Sequence, residues 1–206
     1  MRQRLAHAAF EVIAERGHSA YRTAAVAERA GVSQGAQIHH FSSKDGLTLA
    51  AVEYAFARAS AKTEEIIAEG LAAGDDVLDL MMSDFRLYFF NDDFWVSLDI
   101  TINGSKTPAL KEGIREIVPR YRLGVYRRWV GLLADAGWTE ADAHEIVRMT
   151  AALVTGLGIR TLFDDVNAYL DTTLARWRAM VLATWPRERL HSDARCDSDR
   201  RVPASS

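Results

Sequence analysis

Apolar residues recur along this chain at helical spacing, and no stretch shows the strict alternation that is typical of a half-buried strand. The first helical stripe lies within residues 2–16, and Gly17 ends it. Its members are Leu5, Ala8, Ala9, Val12 and Ile13. Similar stripes follow through most of the chain, so we predict an all-α fold.

Two short helix-forming segments stand close together near the start of the chain. The first runs from Thr23 to Ala30 and the second from Gln34 to His40, on either side of Gly31-Val32-Ser33. The glycine can adopt the positive φ that ends a helix, the valine can anchor the turn in the core, and the serine hydroxyl can cap the next helix. Two short helices joined by such a turn are a helix-turn-helix unit.

The second short helix is the one that we expect to read DNA. Gln34, Gln37, His39 and His40 give it hydrogen-bonding side chains that a major groove could accept. Gly35 would allow its backbone to approach the duplex closely.

The remainder of the chain predicts a larger helical unit. We place its helices at Lys44 to about Glu69 (capped by Ser42 or Ser43), Val77 to Asn91, Phe94 to about Asn103, Pro108 to about Ala136, Glu140 to Phe163 and Val166 to Trp185. Pro119 should kink the fourth of these. The predicted domains are residues 1–45, which carry the helix-turn-helix, and residues 46–186. We expect residues 187–206 to be disordered or peripheral, because they are charged and nearly free of large apolar side chains.

The distribution of charge along the chain says more about the function than the overall composition does. With 206 residues, of which 49% are hydrophobic and 26% charged, the chain can bury a sizeable core. It has no apolar run long enough to span a bilayer and no signal-peptide core, so we expect a cytoplasmic protein without a membrane partner. The net charge is −3, but residues 1–50 carry six Lys or Arg against four acids. The basic end therefore coincides with the helix-turn-helix.

Residues 2 to about 52 resemble the DNA-binding domain of the TetR family of repressors. The matching residues are Ala9, Phe10, Gly17, Val26-Ala27, Ala30-Gly31-Val32-Ser33, Gly35, His40-Phe41, Lys44 and Leu47. Gln37-Ile38 departs from the family, which usually has a leucine–tyrosine pair there, and Arg22 stands where threonine is usual. The resemblance implies a homodimer that binds a palindromic operator in double-stranded DNA and responds to a small-molecule effector. It also implies that the helix from Lys44 to Glu69 joins the DNA reader to the sensor.

The predicted DNA contacts extend beyond the reading helix. They comprise Arg22, Thr23, Ser33, Gln34, Gly35, Gln37, His39, His40 and Lys44. We favour a phosphate contact for Lys44, because both a helix N-terminus and an ammonium group attract anions. His40 could contact DNA or pack against the first helix of the motif. Adjacent histidines on a helix point about 100° apart, so His39-His40 is not a convincing metal site, and we predict no metal.

Aromatic and methionine side chains between residues 77 and 133 predict both core and cavity. Most should be core, but an apolar cavity with a few polar groups would suit a small, largely apolar ligand. We assign to that pocket Met81, Phe85, Tyr88, Phe89, Trp95, Asn103, Tyr121 and Trp129, with Asp99 and Arg122 as further polar candidates. The last two predicted helices should form the dimer interface, through Thr155, Gly156, Ile159, Phe163, Leu174 and Arg178.

No catalytic constellation or cofactor motif stands out, so we predict a non-enzyme without a cofactor. The acidic pairs Glu64-Glu65, Asp75-Asp76, Asp92-Asp93 and Asp164-Asp165 fall where helix capping and solvation explain them. Cys196 is the single cysteine and cannot form a disulfide within the chain. Two alternatives stay open. One is a constitutive DNA-binding regulator whose C-terminal part only dimerises, and the other is an all-α enzyme or carrier.

Overall fold

The structure is a computed structural model that describes residues 1–104 and 107–187. Every regular element in these two ranges is helical, which confirms the all-α prediction. The elements are α1 (Arg2–Arg16), α2 (Thr23–Arg29), α3 (Gln34–His40), α4 (Lys44–Ala73), α5 (Val77–Phe89), α6 (Asp92–Gly104), α7 (Pro108–Asp135), α8 (Glu140–Arg160), a short 3-10 helix (Val166–Ala168) and α9 (Leu170–Thr184).

The helix-turn-helix forms as predicted, with α1 packed against α4 and α2, and with α3 beside α2. Gly31 adopts a φ of 61° at the turn. The Ser33 hydroxyl accepts a hydrogen bond from the Ala36 backbone N–H, and the Ser43 hydroxyl accepts one from Gly46. These two caps fix where α3 and α4 begin.

The long helix α4 continues past its predicted end. It runs to Ala73 and stops at Gly74, which has a left-handed φ of 80°. The sequence placed the end at about Glu69, but the next residue, Gly70, is buried inside the helix. A Cβ at Gly70 would lie 2.1 Å from Leu80 Cδ2, so this glycine allows α4 and α5 to approach closely.

The apolar side chains form two cores. The N-terminal core gathers residues of α1, α2 and the first half of α4 together with Val96, Ile100, Leu110, Ile114 and Ile117 from α6 and α7. The C-terminal core gathers α5, α8 and α9 with Ile67 of α4, Phe94 of α6 and the end of α7. Three helices, α4, α6 and α7, therefore contribute to both cores. The predicted domain boundary after residue 45 stays a prediction, since apolar contacts continue across it.

The two C-terminal helices differ from their predicted bounds. Helix α8 ends at Arg160, and the 3-10 helix separates it from α9. Of the predicted peripheral tail, residues 188–206 lie outside the described part. Arg187 does not fit that prediction, because its guanidinium lies 4.1 Å from the Trp138 ring centroid and pairs with Asp76.

Candidate nucleic-acid interface and cavity

Helix α3 presents one face to solvent. Gln34, Gly35, Ile38 and His39 are exposed along it. Gln37 is an exception to the prediction, because its side chain is 3% exposed and its Nε2 donates to the Phe41 backbone carbonyl. Gln37 therefore holds the end of α3 from inside the domain, and its assignment as an outward DNA contact is corrected.

The end of α3 is also held by a residue that the sequence did not single out. Arg2 donates from a guanidinium nitrogen to the His40 backbone carbonyl at 2.8 Å, and it lies 4.3 Å from the Phe41 ring centroid. His40 itself is partly buried, with its ring 5.2 Å from that of His39. Arg2 places a positive charge beside α3, although nothing in the local sequence pattern indicated it.

Two cations lie close together beside the N-termini of α2 and α4. Arg22 precedes α2, and Lys44 begins α4 with its Nζ 4.4 Å from the Tyr21 ring centroid. Burial lowers the pKa of Lys44, and the nearby Arg22 guanidinium lowers that pKa further. A cation that burial and a like charge make unfavourable is stabilised by an anion, and two helix N-termini also favour one.

The other predicted contacts occupy the same end of the motif. Thr23 is partly buried as the first residue of α2, and Ser33 is exposed with its hydroxyl engaged in the α3 cap. We group these residues with the exposed side of α3 and the two cations, and we call the group the α3 surface. It consists of Arg22, Thr23, Ser33, Gln34, Gly35, Ile38, His39 and Lys44.

A cavity of about 670 Å³ lies in the C-terminal part of the chain. Its walls are mostly aromatic and aliphatic, and they come from α4, α5, α6, α7 and α8. The lining residues include Phe56, Thr63, Asp84, Phe85, Tyr88, Phe89, Phe94, Ser97, Leu98, Thr101, Tyr121, Arg122, Val125, Tyr126, Arg148, Thr155, Gly156 and Ile159.

Of the residues predicted to form the pocket, Phe85, Tyr88, Phe89 and Tyr121 line this cavity. The other four do not line it. Met81 and Trp129 are fully buried in the C-terminal core, and Trp95 packs against that core from outside. Asn103 donates to the Asp99 carboxylate at 2.6 Å instead of facing the cavity. Spacing alone could not separate core from cavity wall, because both use apolar side chains.

A buried carboxylate stands in the cavity wall. Asp84 is 4% exposed, and its carboxylate accepts hydrogen bonds from Thr63 Oγ1 at 2.9 Å and from Trp129 Nε1 at 2.8 Å. Burial raises the pKa of Asp84, and the two hydrogen bonds oppose that rise. The sequence contained a usable signal, namely an acid in the middle of α5, close to the apolar residues Met81, Met82 and Phe85. The network joins α4, α5 and α7 at the cavity.

Two further contacts connect the cavity helices to the N-terminal helices. Arg58 of α4 pairs with Asp93 of α6 at 2.8 Å and lies 4.7 Å from the Phe10 ring centroid on α1. Asp99 of α6 accepts a hydrogen bond from the His18 backbone N–H at 2.6 Å. Asp93 was expected to be a solvated cap, but its side chain is only 5% exposed. Helix α6 is thus held to α4 at one point and to the segment between α1 and α2 at the other.

The predicted dimer residues fall into different environments. Thr155, Gly156 and Ile159 line the cavity, and Phe163 is 77% exposed. Leu174 is 8% exposed within the C-terminal core, so its assignment to an interface is corrected. Arg178 pairs with Asp79 of α5 within the chain. Three exposed apolar residues that the sequence analysis missed are Met149, Leu162 and Met180.

Gly156, which we predicted at the dimer interface, differs in its surroundings from Gly158, which lies two residues later in α8. A Cβ at Gly158 would lie 2.7 Å from the Phe89 backbone oxygen, so this glycine allows α8 to pack on α5. A Cβ at Gly156 would meet no atom within 4 Å. The close contact at Gly158 is therefore within one chain.

The described residues contain no helix that is both long and apolar enough to cross a membrane. Across residues 1–104 and 107–187, no three His, Cys, Asp or Glu side chains are grouped so that they could hold a metal ion.

Comparison with known proteins agrees with the architecture. Residues 5–51 match the profile of the bacterial regulatory proteins of the tetR family. The HTH-type transcriptional regulator CymR of Pseudomonas putida is 38% identical over 161 residues, which cover 78% of this chain and 79% of that protein.

Solved structures share the fold over nearly the whole chain. A Rhodococcus sp. protein assigned to the TetR family of transcriptional regulators superimposes with a TM-score of 0.62 and 25% identity, covering 89% of this chain and 95% of its own. The regulator FadR of Bacillus subtilis, solved in complex with stearoyl-CoA, gives a TM-score of 0.59 at 19% identity and covers 86% of this chain and 97% of its own.

Proposed function

This chain belongs to the TetR family of bacterial transcriptional regulators, and from that premise we propose that it is a homodimeric repressor whose operator is released when a small molecule enters the cavity. The observation that carries the proposal is the sharing of α4, α6 and α7 between two cores, one beneath the helix-turn-helix and one around the cavity.

The α3 surface is suited to the major groove. Gln34 and His39 supply hydrogen-bonding groups, Gly35 removes bulk at the start of α3, and Ile38 can contact a thymine methyl group. Arg22 and Lys44 would bind phosphates on either side of the groove. Because only a few cations are available, a single surface should bind weakly, and specific affinity should require two copies on one duplex.

The second copy would dock on α8 and α9. Their outward faces carry small residues that allow helices to approach closely, flanked by exposed apolar side chains. The small residues are Ala152, Gly156, Ala175, Ala179 and Ala183, and the apolar ones are Met149, Leu162, Phe163 and Met180. A symmetric dimer on this face would present two α3 surfaces to an inverted repeat.

The cavity would hold the effector. Its volume and mostly apolar walls are those of a small-molecule site, and this favours a sensor over a C-terminal region that only dimerises. The B. subtilis FadR complex supports the idea that this fold can hold a ligand. A ligand that binds better to a conformer with the wrong spacing of the two α3 surfaces would release DNA by population shift.

The contacts of α6 and α4 supply a route for that coupling. Ser97, Leu98 and Thr101 of α6 line the cavity, while Asp93 and Asp99 on the same helix hold Arg58 and the His18 backbone. Movement of α6 away from the cavity would therefore strain its contacts with α4 and with the segment that leads into α2. We propose α6 as a partner of α4 in transmission.

Selection of duplexes from a random pool tests the proposal. The protein should enrich an inverted repeat, and Gln34→Ala should weaken binding to that repeat by about 5- to 100-fold, corresponding to about 1–3 kcal/mol. Gln3→Ala on exposed α1 is the matched control and should bind as the wild type does. Enrichment of no sequence, or equal binding by the two variants, would count against the α3 surface.

A further inference from the structure

The polar groups of the cavity differ in whether the protein already satisfies them. Ser97, Thr101 and Thr155 donate their hydroxyl hydrogens to carbonyls one turn earlier in their own helices, at 2.6–2.7 Å. Asp84 is bound by Thr63 and Trp129. These groups have little left to offer a ligand, so most of the wall behaves as an apolar surface.

Two arginines also line the cavity, and they are not equivalent. Arg148 is paired with Glu145 on its own helix. Arg122 has no carboxylate partner among the described residues, and its guanidinium lies 5.3 Å from the Tyr126 ring centroid. Its neighbours on α7 show the contrast, because Arg120 pairs with Glu53 and Arg128 with Glu64. Arg122 therefore offers an unmatched positive charge to whatever enters the cavity.

The exposure of Arg122 indicates that its charge lies at the mouth of the cavity. The side chain is exposed, whereas Phe85, Phe89 and Phe94 deeper in the wall are buried. A molecule that uses both features would have its apolar body inside and an anionic group at the mouth. A guanidinium binds carboxylates well because its donors match the two oxygens.

We propose that the effector is an organic anion with an apolar body and one acidic group that pairs with Arg122. This rests on the proposed function, since it names the class of molecule that the sensor cavity takes. A cationic ligand would instead have to pass Arg122 to reach Asp84, whose carboxylate already accepts hydrogen bonds from Thr63 and Trp129. A neutral ligand would leave the charge at the mouth unpaired.

Six probes with two bodies and three head groups test this inference on the full chain. They are phenylbutyrate, phenylbutanol and phenylbutylammonium, and octanoate, octanol and octylammonium, each titrated by calorimetry. At least one acid should bind about 10-fold more tightly than the alcohol of the same body, because a charge-assisted hydrogen bond at a partly exposed site is worth about a factor of 10.

Variants locate the preference. Arg122→Met should reduce acid binding about 10-fold and leave alcohol binding unchanged, and Arg122→Lys should keep part of the preference because it keeps the charge. Arg127→Met is the matched control, since Arg127 is an exposed arginine of α7 that does not line the cavity. It should leave both affinities unchanged.

Several results would overturn the inference. They are tighter binding of an ammonium than of its acid, equal binding of acid and alcohol, an unchanged preference in Arg122→Met, or binding of none of the six probes. Failure of the proposed function would look different. Duplex selection without ligand does not involve the cavity. A specific operator combined with any of these results would therefore refute the proposal of an anionic effector but not the proposal that the protein binds an operator.

Discussion

The two cores of this protein are built differently. In the N-terminal core, the buried Tyr21 hydroxyl contacts Thr48 and the Lys44 carbonyl. The C-terminal core surrounds a cavity of about 670 Å³ and places a buried carboxylate in the wall. The N-terminal core supports the helices that carry the α3 surface, and the C-terminal core borders a cavity that a ligand could fill.

The difference explains how one chain can combine fixed recognition with adjustable control. Helices α4, α6 and α7 cannot change their packing around the cavity without affecting the contacts that they make beneath α1 and α2. Close-packed cores are stiff, so small shifts of shared helices are passed on rather than absorbed. Substitutions that act on one core and spare the other can test this view.

The largest effect should come from Trp129→Ala, which removes a fully buried indole from the C-terminal core and one donor from Asp84. Large aromatic-to-alanine changes cost about 3–5 kcal/mol. Urea unfolding at fixed protein concentration should show a loss of that size. Trp95→Ala, at a partly exposed position, should cost clearly less, and equal losses would mean that the Asp84 network adds nothing.

Gly158→Ala should be the next most damaging change. The added methyl group would meet the Phe89 backbone oxygen, and overpacking of this kind costs about 1–3 kcal/mol. Gly131→Ala in α7 meets no atom within 4 Å and should be neutral or stabilising by up to about 1 kcal/mol. Thermal unfolding of the two variants checks the contrast. Similar shifts in the same direction would contradict the close packing of α8 on α5.

Arg58→Met tests the link between α4 and α6. It would leave the buried Asp93 carboxylate without its cation, which should cost roughly 1–2 kcal/mol because Arg58 is itself partly exposed. Arg86→Met is the matched control. Arg86 pairs with Asp171, which is 79% exposed, so its loss should cost at most about 0.5 kcal/mol. Chemical denaturation compares the pair, and a larger loss for Arg86→Met would refute the assigned roles.

Tyr21→Phe should have the smallest effect at neutral pH, about 1 kcal/mol for the lost hydroxyl contacts. Burial raises the pKa of Tyr21 from 10.0 to about 12. A raised folded-state pKa means that stability is fully present below pH 10 and falls as pH rises toward 12, because the unfolded chain ionises first. Denaturation at increasing pH should therefore show a shallower decline in the variant. An identical loss of stability in both proteins would mean that a group other than Tyr21 causes the pH dependence.

The helix-turn-helix was predictable because its signals are local. Gly31 and Ser33 mark the end of one helix and the start of the next within three positions, and the structure places both as expected. The prediction that Gln37 faces DNA was wrong because a polar side chain can find a hydrogen-bond partner inside a domain. Here Gln37 donates to the Phe41 backbone carbonyl. Local pattern gives the helix but not which of its polar side chains faces out.

The cavity was only half predictable because its wall is assembled from distant parts of the chain. Phe56, Ser97 and Thr155 lie on three helices, and nothing in their neighbourhoods indicates a shared space. The helical spacing of apolar residues identified apolar faces correctly. It did not show whether a face lines a cavity or a dimer interface, as for Thr155, Gly156 and Ile159. Asp84 was the exception that could have been noticed, since an acid inside an apolar helix needs partners.

Hydrogen–deuterium exchange with and without the selected operator duplex tests most directly whether the two cores are coupled, and it requires no effector. Linkage is reciprocal, so DNA bound at α3 should alter the cavity helices as a ligand would alter α3. The account predicts changed exchange in residues 59–73 and 92–104 as well as in residues 23–50. Changes confined to residues 1–50 would contradict it.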